Sequence, residues 1–303
     1  MTLNERISSL HSPVLLTEII DYLDLEPGDI IFDATLGGGG HSKEILKRIL
    51  PKGKLIAVDR DPEAVSRNHV VFEEFKDSII LRNDNFSNIN RIVEEEKIGN
   101  LDGVVFDLGF SSFQIDDASR GFSFMENGPL DMRYDKQNGP SAEDVVNGFG
   151  KEEIENILRD YGEERHAKLV ARAVVASRKK KRIKTTGELV DIVKTAIGRK
   201  YYGQKLHPAC RTFQALRIFV NGEIEALEQG VNEVFSCMNT GGRICVISFH
   251  SLEDRIVKNI FRNRARSGEA LLLTKKPVQP TRDEIRINPR ARSAKLRVAE
   301  RTI

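Results

Sequence analysis

The chain has 303 residues, of which 40% are hydrophobic and 30% are charged, and its formal net charge is +2. This length supports two domains or one large domain with an insertion. The longest uncharged apolar runs, such as residues 244–249, are too short to cross a bilayer, and Glu5 and Arg6 stand where a signal peptide would be apolar. We therefore expect a cytoplasmic protein with no membrane partner.

The number of cysteines and the distribution of charge narrow the possible kinds of site and partner. The three cysteines are odd in number and lack CxxC spacing, so neither a disulfide framework nor a metal site is expected. Residues 255–301 hold fourteen Lys or Arg against four acids, and a second basic run covers residues 179–182. Clustered positive charge suits a nucleic-acid backbone, although a solvated helix face or tail explains it equally well.

The first predicted element is a helix over residues 16–23, which ends before Pro27-Gly28. His11 precedes it, either as a site residue or as a cap for that helix. A glycine-rich turn with the sequence DATLGGGGHS, residues 33–42, then lies between a short apolar run and a segment with helical spacing. Such a strand, turn and helix allow a ligand to approach the backbone, whereas a flexible surface loop is the alternative.

A second predicted strand, residues 54–59, ends in an acid. Asp59 lies 26 positions beyond Asp33, close to the spacing at which a nucleotide-binding βαβ unit places a carboxylate on a ribose hydroxyl. Helix capping is the rival role for Asp59. Because Asp61 followed by Pro62 already provides a cap for the next helix, the ligand role is favoured.

Two more strands are predicted at residues 78–81 and 102–109. Their alternation with helices predicts an α/β fold with a parallel, doubly wound sheet, whose ligands bind beyond the carboxyl ends of the strands. Asp33, Asp59 and Asp107 all fall at such ends. In the loop after the third strand, Phe86 is either a cover for a ligand ring or a core residue.

The alternation stops after residue 109. Residues 110–140 are rich in turn formers and aromatics, and residues 141–197 have helical spacing with no intervening strand. Thr185 and Glu188 are spaced as a capping box. We therefore predict a sheet domain made of residues 1–114 and 210–303, interrupted by a helical domain over residues 115–209 that ends near Tyr201.

The sheet resumes in the last third of the chain. A long helix over residues 216–234 is predicted to lead into a fifth strand at residues 241–249, and two weaker strands are predicted at residues 270–274 and 295–299. Ser251 and Asp254 are spaced as a capping box. This leaves His250 unexplained at the end of a strand.

Three classes of function fit a glycine turn and a strand-end acid. A nicotinamide dehydrogenase requires G-x-G-x-x-G, but Ser42 or Lys43 occupies the last position of that motif. A methyltransferase that uses S-adenosylmethionine fits better. A non-catalytic nucleic-acid-binding module agrees with the basic tail but leaves the three aligned acids unexplained.

Five segments together resemble the bacterial ribosomal small-subunit RNA cytosine N4-methyltransferase family, the MraW or RsmH group. They are DATLGGGGHS (33–42), DLGFSS (107–112), GPLDMR (128–133), RTFQALR (211–217) and SFHSLEDR (248–255). The resemblance implies a class I methyltransferase (Rossmann-like) sheet with an inserted helical domain. It also implies methylation, by S-adenosyl-L-methionine, of the N4 amine of a cytidine at position 1402 in 16S ribosomal RNA. The partner would be that RNA or the small ribosomal subunit, and the enzyme a monomer or a homodimer.

The matched motifs imply roles for individual residues. Gly39, Gly40 and His41 would lie along the methionine part of the cofactor, and Asp59 would bind its ribose. Phe86 would cover the adenine.

Two further positions would complete the cofactor pocket, namely Asp107 and Gln114. Phe110 and Phe113 stand where the family usually has Val and Pro, a difference that would reshape the entry to the pocket.

Methyl transfer from a sulfonium needs no metal, so the protein must hold the amine in line with the methyl group and accept its proton. Asp107 is the candidate acceptor. An unpaired or extruded base would stack on a planar side chain of the long loop; the candidates are Phe113, Phe122, Phe124 and Arg133. The helical domain and the basic tail would bind RNA phosphates.

Overall fold

The computed structural model describes residues 13–198 and 207–303, so the predictions for His11 and for a domain end near Tyr201 lie outside the described residues. The chain forms two compact units, one of residues up to Phe110 together with Ile224–Ile303 and the other of Ser111–Glu223. The helical unit is thus inserted into the sheet unit. Its boundaries differ from the predicted 115–209, most at the carboxyl side, because Phe213 and Leu216 pack into the core of the helical unit.

One seven-stranded sheet organises the first unit, in the order β3-β2-β1-β4-β5-β7-β6. Strands β1 to β5 run parallel, and β7 is antiparallel to both β5 and β6. The strand order reverses between β1 and β4, so the sheet is doubly wound and has a switch point there. The strands are β1 Ile30–Asp33, β2 Lys54–Asp59, β3 Ile79–Asn83, β4 Leu101–Asp107, β5 Met238–Ser248, β6 Ala270–Leu272 and β7 Lys295–Arg301.

Helices connect the strands of the sheet and make up the inserted unit. Those of the first unit, with α11 beginning at its boundary, are α1 Leu16–Leu23, α2 Gly40–Ile49, α3 Pro62–Val71, α4 Ile89–Glu96, α11 Glu223–Val234, α12 Ser251–Arg266 and α13 Arg282–Ile287. Those of the inserted unit are α5 Ser112–Asp116, α6 Ala142–Gly148, α7 Lys151–Asp160, α8 Ala167–Arg178, α9 Thr186–Ile197 and α10 Cys210–Asn221. Within the described ranges no helix combines the length and apolar character needed to span a membrane.

Alternate residues of each central strand face opposite sides of the sheet. Phe32 and Val104 belong to a cluster with helices α4, α11 and α12, whereas Ile31 and Val105 belong to a cluster with α1 and α2. Both faces are therefore apolar, as expected for a parallel sheet covered by helices on both sides. This burial fixes the strand ends, and with them the strand-end acids.

The inserted unit has its own apolar core, formed by helices α6 to α10 and the segment before them. The predicted capping box of α9 is confirmed, since the Thr185 side chain accepts from the Glu188 N–H and the Glu188 carboxylate accepts from the Thr185 N–H. The Phe122 ring is buried and stacked on Tyr134 at 5.5 Å. Phe122 therefore packs as a core residue of this unit, which argues against its predicted role in stacking on the target base.

The predicted long helix over residues 216–234 is wrong in one respect. Gly222 has a φ of +55° and ends α10, and α11 begins immediately after it. A left-handed glycine after a helix is a common stop signal. The apolar spacing continued across Gly222 and concealed the break.

Candidate active site

The three strand-end aspartates lie on adjacent strands at the same edge of the sheet. Asp33 of β1 pairs in register with Ala57 of β2 and Val105 of β4. Asp59 and Asp107 are therefore each two residues further toward the carboxyl edge, on either side of Asp33. The convergence predicted from the sequence is confirmed, and it lies at the switch point, where doubly wound sheets bind ligands.

Asp33 has a structural role within this group. Its carboxylate is 2% exposed and accepts hydrogen bonds from the Ser42 hydroxyl at 2.6 Å and the Thr35 N–H at 3.0 Å. Burial raises the pKa of Asp33, whereas the bond from Ser42 and the nearby His41 lower it. Because both oxygens are engaged by the turn itself, Asp33 fixes the glycine turn to the end of β1.

The glycine turn is held by backbone and side-chain contacts. The Asn68 amide donates to the Gly37 carbonyl at 2.9 Å, and Gly39 has a φ of +76°. A Cβ on Gly39 would lie 2.4 Å from Asn68 Oδ1, and one on Gly40 would lie 2.4 Å from Pro13 Cγ. Close packing against the protein itself therefore requires glycine at both positions, a reason that the sequence alone did not suggest.

Asp59 is held at the end of β2 by two backbone donors. Its Oδ2 accepts from the Gly37 N–H at 2.8 Å and its Oδ1 from the Asp61 N–H at 2.9 Å. Burial, with smaller contributions from Asp61 and Asp33, raises the pKa of Asp59 to about 6 against the opposing effect of these two bonds. Each carboxylate oxygen can accept a further hydrogen bond. Asp59 is thus fixed in place and can still accept from a pair of hydroxyl groups.

Asp107 ends β4 and faces His41. Its N–H donates to the Thr35 hydroxyl at 2.7 Å, and its Oδ2 lies 3.7 Å from His41 Nδ1. Its Oδ1 is buried, and no donor among the described residues reaches it. Burial, together with Asp33 and Glu253, raises the pKa of Asp107 to about 6, while His41 lowers it. A buried oxygen without a donor is costly, which is a common property of catalytic positions.

The end of β5 carries a capping box that begins one residue before the predicted one. His250 caps α12: its Nδ1 accepts from the Glu253 N–H at 3.3 Å, and the Glu253 carboxylate accepts from the N–H groups of Phe249 and His250. The N-cap is therefore His250, one residue before the predicted Ser251. Asp254 pairs with Arg297 of β7 at 2.7 Å. Glu253 is buried, with 3% of its surface exposed.

The remaining predicted site residues are placed as follows. Phe86 is half-buried and lies edge-on to Phe106 at 5.4 Å, and a Cβ on Gly230 of α11 would lie 2.8 Å from its Cδ2. This packing favours the core alternative for one face of the ring, and its adenine role stays a prediction. Gln114 belongs to the inserted unit, where its side chain accepts from the Ser111 N–H at 3.0 Å, and its cofactor role also stays a prediction.

A model of the MraW methylase family matches residues 8–302 of this chain. The chain belongs to the MraW methylase family. A relative named ribosomal RNA small subunit methyltransferase H, from Clostridioides difficile, is 45% identical over 96% of this chain and 98% of its own length. Its namesake from Persephonella marina is 48% identical over 96% of this chain and 99% of its own length. A solved rRNA methylase from Streptococcus thermophilus is 11% identical, with a TM-score of 0.45, and the match covers 95% of this chain and 93% of that one. The resemblance stated from the five motifs is confirmed.

In this MraW methylase, three residues that were not predicted from the sequence contribute to the site. Thr35 ties β4 to the glycine turn and Asn68 ties α3 to it, whereas the negative charge of Glu253 raises the pKa of Asp107. Thr35 lies inside the glycine motif, and a histidine three residues before Glu253 has the spacing of a cap. Asn68 has no sequence signal, because its partner is a backbone carbonyl far away in the chain.

Proposed function

We propose that this chain is an S-adenosyl-L-methionine-dependent methyltransferase that methylates the N4 amine of a cytidine in small-subunit ribosomal RNA, at position 1402 of 16S RNA. Membership in a methylase family and the names of close relatives support the reaction and the RNA. The observation that carries the site is the buried Asp107 Oδ1, which has no donor among the described residues and lies at the switch point of the sheet.

The residues present fit the methyl donor. The two Asp59 oxygens, each already held by one N–H, can accept from a pair of ribose hydroxyls. The turn containing Gly39, Gly40 and His41 would lie along the methionine part, and Phe86 and Gln114 would complete the pocket. When bound, the donor supplies an electrophilic methyl group on a sulfonium.

The chain's own residues orient the amine and take its proton. The amine lone pair is delocalised into the cytosine ring, so methylation becomes easier as an N–H hydrogen moves toward an acceptor. Asp107 Oδ1 is the acceptor: the nitrogen–hydrogen bond breaks, an oxygen–hydrogen bond forms, and the nitrogen keeps the electron pair. Burial makes this carboxylate more basic than an exposed one.

RNA would be held by exposed basic residues of the tail. Part of the positive tail is used internally, since Arg297 and Lys295 pair with Asp254 and Arg264 pairs with Glu269. Four exposed basic residues, within α13 and on both sides of it in the chain, can reach phosphates: Lys275, Lys276, Arg282 and Arg292. We name these four residues the basic segment.

One member of the basic segment, Arg282, lies on α13, which contacts the chain next to His41. Glu284 of α13 accepts from the Leu15 N–H at 2.8 Å, and the adjacent Val14 carbonyl accepts from His41 Nε2 at 3.0 Å. Helix α13 is thus connected through Leu15 and Val14 to His41, which faces Asp107. This supports assignment of the sheet unit to phosphate binding alongside the inserted unit.

The proposal is tested by mass spectrometry of 16S RNA from cells lacking this protein. We expect one methyl group to be missing from a cytidine amine, and wild-type protein with S-adenosylmethionine to restore it on isolated small subunits. In parallel, Asp59→Asn should weaken S-adenosylmethionine binding in calorimetry by about tenfold to a hundredfold, the effect of losing a charged hydrogen-bond acceptor. Asp21→Asn, on the exposed face of α1, is the matched control. An unchanged methyl pattern would refute the proposed reaction.

A further inference from the structure

His41 presents its two ring nitrogens to two different acceptors. It is the second residue of α2, is 6% exposed, and its Nε2 lies 3.0 Å from the Val14 carbonyl oxygen. Because a carbonyl oxygen can only accept, Nε2 carries a hydrogen. The Val14 carbonyl therefore fixes which nitrogen of a neutral His41 ring would be protonated.

The fixed tautomer has a consequence at the other nitrogen. His41 Nδ1 lies 3.7 Å from Asp107 Oδ2. If His41 were neutral and Asp107 ionised, the lone pair of Nδ1 would face a negative oxygen with no hydrogen between them. One additional hydrogen between these two atoms removes the conflict, and it makes either His41 an imidazolium or Asp107 a carboxylic acid.

Charged groups from three elements act on Asp107, and they differ in sign. Asp33 of β1 and Glu253 of α12 are acidic and favour protonation of Asp107, whereas His41 of α2 favours its ionised form. His41 also acts on Asp33 and favours its ionised form. Among the described groups whose charge acts on Asp107, His41 is thus the basic one.

We propose that His41 is a positioning residue that keeps the extra proton on its own ring, so that Asp107 stays ionised with Oδ1 available to the cytosine amine. This inference rests on the proposed function, since it assigns a role within that reaction. The proton shared by the pair stays on His41, and Asp107 receives only the hydrogen of the amine. The role is additional to any contact of His41 with the methionine part of the cofactor.

The test compares pH profiles of single-turnover methylation for wild type and His41→Gln. Small subunits from cells lacking this protein serve as substrate, and S-adenosylmethionine is kept saturating at every pH so that titration of Asp59 does not limit the rate. Glutamine can still donate to the Val14 carbonyl, but it carries no charge. We expect the acidic limb of the profile to move to higher pH, by about 1 pH unit or more, in His41→Gln, because an adjacent opposite charge is removed.

Each result decides a different question. A limb at the wild-type pH in His41→Gln, with the rate lowered equally at all pH values, would overturn the role of His41 and leave the proposed function intact. Absence of methylation by the wild-type protein at every pH would instead refute the proposed function. A variant that fails to fold is detected by its thermal melt, and His41→Asn, which keeps a donor near Asp107 without a charge, then replaces it with the same expected upward shift.

Discussion

At the scale of single residues, burial of the Asp107 carboxylate at the carboxyl edge of the sheet costs stability. The pKa of Asp107 is raised from an ordinary 3.8 to about 6, first by burial and then by Asp33 and Glu253. The folded protein therefore binds this proton more tightly than the unfolded chain does. The resulting stabilisation is complete below about pH 4 and is lost as the pH rises through about 6.

This sign predicts that Asp107→Asn is more stable than wild type at about pH 8, by about 1–3 kcal/mol. The advantage should shrink as the pH falls toward about 5, because wild-type Asp107 then becomes neutral as well. Urea denaturation at both pH values measures it, with Asp21→Asn as an exposed control. A stability difference that is the same at both pH values would show that the buried charge of Asp107 is not its cause. The same variant should lose methylation, a trade of activity for stability.

The residues at the site were predictable where their signal is local. Asp59 and Asp107 follow apolar strands directly, so the sequence located both. The sequence could not show that both oxygens of Asp33 accept hydrogen bonds from Ser42 and Thr35. Nor could it show that Asp107 Oδ1 lacks a donor among the described residues. Those facts depend on side-chain direction in the folded chain.

At the scale of elements, the parallel strands were predicted to within a few residues, because a strand covered on both faces is apolar throughout. The junctions were predicted less well. The break at Gly222 was missed, and the cap of α12 was placed one residue late. Both errors arise because apolar spacing indicates which face is buried, whereas turn geometry decides where an element ends.

The corrected cap makes a prediction for α12. His250→Ala should lower the free energy of unfolding by about 1 kcal/mol, since the Glu253 N–H loses its acceptor, whereas His250→Asn should keep most of the stability because Asn is a good cap. Ser251→Ala separates the two registers: it should cost less than His250→Ala. Urea denaturation near neutral pH measures all three variants. The largest loss in Ser251→Ala would favour the register that the sequence suggested.

At the scale of the whole molecule, a net charge of +2 conceals a strongly basic tail that has two uses. Partly buried pairs such as Arg297 with Asp254 join β7 to α12, and removing one partner of such a pair affects folding. The basic segment is exposed. Counting charges along the sequence could not separate these two groups, because the separation depends on which basic residues meet an acid in the folded chain.

The exposed group predicts how methylation depends on salt. If the basic segment binds phosphates, the logarithm of the affinity for the small subunit should fall linearly with the logarithm of salt concentration, between about 50 and 200 mM. Replacing Lys275 and Lys276 by Ala should reduce that slope by about 0.7–0.9 for each phosphate that is no longer neutralised, without changing S-adenosylmethionine binding. Lys47→Ala combined with Lys52→Ala removes two exposed charges from the same unit and serves as the control for net charge. Equal slopes in the two double variants would mean that RNA responds to overall charge, whereas a smaller slope confined to the first assigns phosphate binding to the basic segment.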